Sequence, residues 1–174
     1  VTAVFMTDGS ASDSELPIDD LVKIRKTEAE RAAEILGIRR CMFLDYPDRR
    51  LQKSKDSVQR LIDALEETDP DLIYLPFHLE NHPDHLAAVA IAFSALERRP
   101  VKSIYLYEVW TAMIPNQIVD ISEVIEKKIE AVRVYRSQKN INEFADQVKA
   151  LNRFRSLQSD NRFQYAEAFF KLAP

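Results

Sequence analysis

The stretch DLIYLPFHLENHPDHLAAVAIAFSALE, residues 71–97, passes from a strand pattern to a helix pattern across a polar loop. DLIYLPF (71–77) is a short apolar run rich in branched and aromatic side chains, the signature of a strand inside a sheet. Pro83 suits the first position of a helix, where its missing N–H would have no partner in any case. The helix it opens is largely apolar along LAAVAIAFSALE and ends at Arg98-Arg99-Pro100. A buried strand feeding a buried helix is the repeating unit of α/β proteins.

The alternation continues outward in both directions. Upstream, residues 1–7 (VTAVFMT) read as a strand stopped by Asp8-Gly9-Ser10, and the polar run 10–17 reads as a loop. A helix follows from about Asp20 to Leu36, with Leu21, Ile24, Ala32, Ile35 and Leu36 on its apolar side and Gly37 as C-terminal cap. CMFL (41–44) is the next strand and DYPDRRL (45–51) a loop. Val58, Leu61, Ile62 and Leu65 mark a second helix, which Asp69-Pro70 breaks. Downstream, residues 103–110 read as a strand and 117–121 as another. An amphipathic helix spans 124–135, a polar helix 141–157, and AEAFF (166–170) forms a last strand. The expected fold is α/β, a three-layer domain with a mostly parallel sheet, in one unit over residues 1–174.

The bulk composition narrows the function classes. Twenty-four basic against 28 acidic residues give a net charge of -4, without the basic footprint of a nucleic-acid binder. No apolar run approaches the ~20 residues of a membrane span. The one cysteine, Cys41, cannot make an internal disulfide, which points to a reducing, cytoplasmic setting. Gly9 and Gly37 are the only glycines and form no phosphate-binding loop. The chain opens in mid-strand without an initiator methionine, so a first strand and helix are expected upstream, and a targeting segment there would lie outside this reading.

All three histidines, His78, His82 and His85, fall within eight positions. The stretch sits at the carboxyl end of a strand, where α/β sheets place their ligands. At His85, in the first helical turn, the positive end of the helix dipole favours a neutral ring able to bind a metal. His82 lies just outside the helix beside Asp84, which would hold the ring and favour its charged form. One neutral and one charged imidazole suit metal-assisted hydrolysis. The plainer reading also stands: a carboxylate in a first turn complements the dipole by itself, and a single histidine there is ordinarily solvated surface. A zinc site needs a third protein ligand, for which His78, Asp8, Asp45 and Asp48 are the local candidates.

The tetrad His82-Pro83-Asp84-His85 resembles the second signature of the PIG-L/LmbE family of zinc-dependent N-acetylglucosaminyl deacetylases. Further matches follow in family order: Met6-Thr7-Asp8-Gly9-Ser10, then Arg25 with Glu28, Ala32 and Leu36-Gly37. Tyr46-Pro47-Asp48 comes next, then Lys128, Ala131, Tyr135, Ser137 and Gln138, and finally Tyr165-Ala166-Glu167-Ala168-Phe169. The resemblance implies a Rossmann-like fold and hydrolysis of an N-acetyl group from a small amino-sugar compound. It implies zinc, or another divalent ion, with His85 as ligand. It assigns His82 to stabilising the oxyanion or protonating the leaving amine, with Asp84 orienting it. Arg25 and Asp48 become sugar-binding residues, while His78, Glu108, Tyr135 and Glu167 receive no role. The family's other metal ligands and its general base belong to a PHPDD motif that these 174 residues lack, and Arg49 stands where the family often has glycine. A second expectation is therefore a non-catalytic sugar-binding or scaffold homologue. The exposed helices also offer a surface on which a second copy of the chain could pack.

Overall fold

In the computed structural model, residues 1–11, 16–160 and 162–172 are described. Half of the loop read at 10–17, residues 12–15, lies outside them. The single unit read over residues 1–174 divides into two compact units, Val1–Pro47 with Ile118–Glu167, and Asp48–Gln117 with Ala168–Pro174.

The first unit opens with strand β1 (Thr2–Thr7), helix α1 (Ile18–Leu36) and strand β2 (Arg40–Tyr46). β1 and β2 pair in parallel from Thr2 against Arg40, with the rings of Phe5 and Phe43 stacked 5.1 Å apart. Gly37 adopts φ 73, the left-handed cap expected of it. The buried face of α1 differs from the one read in the sequence. Leu21, Arg25, Glu28, Ala29, Ala32 and Ala33 point inward at helical spacing, while Ile24 and Leu36 lie exposed. Apolar periodicity alone turned the helix toward Ile24 because it gave no weight to burial of the charged side chains Arg25 and Glu28.

The same unit contains helix α4 (Ile125–Arg133), helix α5 (Ile141–Arg155) and a short 3-10 turn, Ser156–Ser159. Its core gathers Ile121, Ile125, Ile129 and Ala145, with Val132, Val148 and Tyr165 packed around them. Asn152 on α5 donates through its side-chain amide to the carbonyl of Ala166, 2.8 Å away.

The second unit holds helix α2 (Lys55–Thr68), strand β3 (Leu72–Pro76), helix α3 (Pro83–Leu96) and strand β4 (Ser103–Tyr107). α2 starts in a capping box: Ser54 accepts from the Ser57 N–H, and the Ser57 hydroxyl accepts from the Ser54 N–H. Val58, Leu61, Ile62 and Leu65 are buried as their spacing predicts, and α2 packs on α3. β3 and β4 are parallel from Leu72 against Ser103 to Pro76 against Tyr107. Strand β6 (Ala166–Lys171) continues this sheet beside β4, and strand β5 (Gln117–Asp120) falls, but for Gln117, within the first unit.

The α/β class thus stands, with one refinement: the sheet is mixed, since β6 runs antiparallel to β4. Among the described residues, no helix is long and apolar enough to cross a membrane.

Candidate active site

The end of β3 sets up the histidine stretch. The Phe77 N–H donates to the Tyr107 carbonyl at 2.8 Å, and the chain then turns through residues 78–82 into α3. His82 is extended, at φ -92 and ψ 128, and caps the helix with its own ring. Its Nδ1 accepts the Asp84 N–H at 3.3 Å, while its carbonyl accepts from the N–H groups of His85 and Leu86. In a neutral ring this leaves the proton on Nε2, aimed away from the helix backbone. Sequence reasoning had the Asp84 carboxylate holding a charged His82. Here it is the Asp84 backbone that touches the ring.

The Asp84 carboxylate is committed elsewhere. It is buried, and its Oδ2 accepts the Arg49 N–H at 2.6 Å while Oδ1 accepts the Leu51 N–H at 3.2 Å. The Asp48 Oδ1 accepts the same Arg49 N–H at 2.9 Å. Arg49 reaches this geometry at φ 60, a left-handed conformation natural to glycine. Burial pushes the Asp84 carboxyl above the usual range. The two backbone donors pull it back, and Asp48 pushes it further up. Asp84 and Asp48 are therefore brought together, as the joint fastening of the 48–51 loop.

Glu80 is the residue that sequence reasoning missed. It is buried, and its Oε1 accepts three consecutive backbone N–H groups, from Val109, Trp110 and Thr111, at 3.0, 2.9 and 3.1 Å. Its Oε2 lies 3.3 Å from His85 Nδ1. Burial pushes the Glu80 carboxyl up, but the three amides and His85 outweigh it and hold it below the usual value. Burial likewise lowers His85, against the upward pull of Glu80, which favours the neutral ring; the cause is burial rather than the helix dipole invoked from the sequence. The His82 and His85 rings sit 4.8 Å apart at 37°. The only sequence signal for Glu80 was an acidic residue among scarce histidines; its backbone partners leave no trace in side-chain spacing.

The other residues without an assigned role find ordinary partners. His78 packs its ring against Phe77 at 4.5 Å, and Glu108 accepts the Met113 N–H at 2.8 Å. Glu167 pairs with Lys128.

The first unit presents a separate cluster of polar residues. Arg25 and Glu28 are 7% and 8% exposed, which rules out a solvated surface pair. Glu28 accepts the Ser137 N–H at 2.8 Å through Oε1 and the Ser137 hydroxyl at 2.5 Å through Oε2. Gly9, at φ 70, lies flat against Arg25: a Cβ there would stand 3.1 Å from Arg25 Cγ. The Tyr135 hydroxyl is pushed up to about 12, by burial first, then by Cys41 and Glu28, with Arg25 opposing. The widely separated matches at residues 9, 25–28 and 135–137 thus form one local cluster.

A resident metal would find a single well-prepared donor here, the His85 Nε2, backed by a carboxylate on Nδ1 as metal-bound histidines commonly are. Among the described residues, no group of three or more His, Cys, Asp or Glu side chains comes together that could hold a metal ion. The chain as described therefore fits one corner of a zinc site and not the whole.

The family model described as "PIG-L: GlcNAc-PI de-N-acetylase" matches residues 1–96. A diacetylchitobiose deacetylase of Thermococcus kodakarensis is 30% identical over 160 residues, covering 79% of this chain and 59% of its own. The chain spans about three-fifths of the length of the curated relatives it matches. Among solved structures, the N,N'-diacetylchitobiose deacetylase of Pyrococcus horikoshii superposes with a TM-score of 0.85 at 27% identity, over 99% of this chain and 72% of that one. GalB, a 4-carboxy-2-hydroxymuconate hydratase of Pseudomonas putida, reaches 0.82 at 22% identity, over 99% and 84%. That likeness shows the fold alone, since one fold hosts several chemistries. The family model covers more than half of the residues and includes the whole histidine stretch, and on that basis the chain belongs to the PIG-L family.

Proposed function

We propose that the protein acts as a metal-dependent N-deacetylase, hydrolysing the N-acetyl group of a small N-acetylglucosaminyl compound. The observation that carries this reading is the pair of adjacent imidazoles at the start of α3, with ring centres 4.8 Å apart, His82 held by the Asp84 N–H and His85 by Glu80. Zinc or another divalent ion, with His85 among its ligands, would supply a water acidic enough to react near neutral pH.

The chain's own residues would do the rest. His82 Nε2–H donates to the amide oxygen as negative charge develops there, and the departing amine takes up a proton released by the attacking water. Asp84 keeps the 48–51 loop in place, which sets the position of Asp48 for a sugar hydroxyl. Arg25, fixed by its packing on Gly9, is the second sugar-binding residue. The reaction would take place in the cytoplasm, where the Cys41 thiol stays reduced.

Acetate release from an N-acetylglucosaminyl compound by the intact protein, assayed together with its metal content, tests the reading. Release that disappears in His85→Ala is the expected result, and undiminished release in that variant would remove His85 from the metal. A sugar-binding homologue without catalysis is the second reading, favoured by the lone prepared donor. Sugar binding by the intact, zinc-loaded protein without acetate release would decide for it.

A further inference from the structure

The strongest unassigned feature is the buried carboxylate of Glu80, which joins two parts of the second unit that the sequence keeps 29–31 residues apart. One oxygen is saturated by three backbone N–H groups, an arrangement that only an acceptor can occupy. The other oxygen faces His85 Nδ1 at 3.3 Å. An ionised carboxylate accepts and does not donate, so the ring nitrogen opposite it must carry the proton. The His85 lone pair then lies on Nε2, directed away from Glu80.

We propose that Glu80 is a positioning residue: it fixes His85 in the Nδ1–H tautomer and anchors the Val109–Thr111 segment to that same ring. The two tasks are linked because one rigid carboxylate performs both. His85 Nε2 is a prepared electron-pair donor only while Glu80 accepts on both sides. The adjacent His82 has the reverse assignment, with Nδ1 accepting from the Asp84 N–H, so the two rings are set oppositely, one by a backbone N–H and the other by a carboxylate.

This inference rests on the proposed deacetylase reading only for the use to which the Nε2 lone pair is put. Its test needs no substrate. Ring-nitrogen chemical shifts of the full chain, recorded where the imidazoles are neutral, distinguish the two tautomers. The expected result is Nδ1–H at His85 and Nε2–H at His82; Nε2–H at His85 in the unaltered protein overturns the proposal outright.

Glu80→Gln sharpens the test. The three amides will keep the glutamine oxygen, which turns its NH2 group toward His85 Nδ1. A donor now faces that nitrogen, so the ring must switch to Nε2–H. A ring that stays Nδ1–H in a folded Glu80→Gln protein counts against tautomer control. Glu80→Ala provides the second measurement. Exchange of the Val109, Trp110 and Thr111 amides should accelerate at least about tenfold, the loss expected for hydrogen bonds to a charged acceptor. Unchanged exchange there refutes the anchoring role. Failure of acetate release with both tautomers as assigned would tell against the deacetylase reading alone.

Discussion

The start of α3 and the Arg25–Glu28 face of α1 both bury carboxylates, and they use them differently. At α3, Glu80 gives one oxygen to three remote backbone N–H groups and turns the other to the His85 ring, while Asp84 gives both of its oxygens to the Arg49 and Leu51 N–H groups. On α1, Glu28 spends both oxygens on one residue, Ser137, beside the buried Arg25 and the half-buried Tyr135. The first arrangement prepares groups that can exchange protons or electron pairs. The second prepares hydrogen-bonding groups of fixed charge. On the proposed function, Glu80 would serve the reaction and Glu28 recognition.

Substitutions on each face can break that division. The largest effect is expected for His85→Ala, which should bring acetate release to background while thermal unfolding shifts little, because Glu80 keeps its three amide donors. His82→Ala should lower kcat by about 10²–10³-fold, the usual cost of one oxyanion donor. KM should move far less, and a change confined to KM would place His82 with the binding residues instead.

Glu28→Ala probes the other face. It strands the Ser137 N–H and hydroxyl, at a cost of about 1–3 kcal/mol in denaturant unfolding. It should raise KM more than it lowers kcat, if α1 serves recognition. Gly9→Ala is expected to cost about 1–2 kcal/mol, since an L side chain at φ 70 is strained and its Cβ presses on Arg25. Weaker sugar binding should accompany it.

The pH response is the smallest of these effects and its sign follows from the groups. His85 is a base whose folded-state pKa lies below its ordinary 6.5, so the unfolded chain takes the proton first. Stability should therefore decline as pH falls below about 6.5 and level off beneath the folded-state value. Glu80 contributes stability that is present above its ordinary 4.5 and lost as pH falls through its lower folded value. Asp84 works the other way: its contribution is full below 3.8 and is lost as pH rises through its raised folded value. Denaturant titrations across this range should show the His85 step vanish in His85→Ala.

Much of this was legible in the sequence, where local rules decide. Pro83 opened α3, Gly37 closed α1, and the spacing of Val58, Leu61, Ile62 and Leu65 oriented α2. The tetrad at 82–85 located the paired imidazoles. What stayed hidden depends on partners distant in the chain. Asp45 and Tyr46 look like loop residues but extend β2, because the parallel register with β1 runs as far as Thr7 against Tyr46. Residues 108–110 continue a strand pattern yet leave β4, whose following amides turn to Glu80 instead. Asp84 was read as a partner for His82, when its carboxylate serves residues 49 and 51. In each case a backbone group is the partner, and backbone groups carry no residue signature.

The reach of Glu80 also has a meaning for the order in which the molecule assembles. Its amide donors lie 29–31 residues further along the chain, beyond all of α3 and β4. Local contacts can form the helix and its His82 cap early, but the loop closure that brings residues 109–111 to Glu80 comes at an entropic cost that only β4 docking offsets. His85 would then acquire its working orientation late, after the sheet beside it has formed, so that a partly folded chain carries the histidines without yet carrying the site.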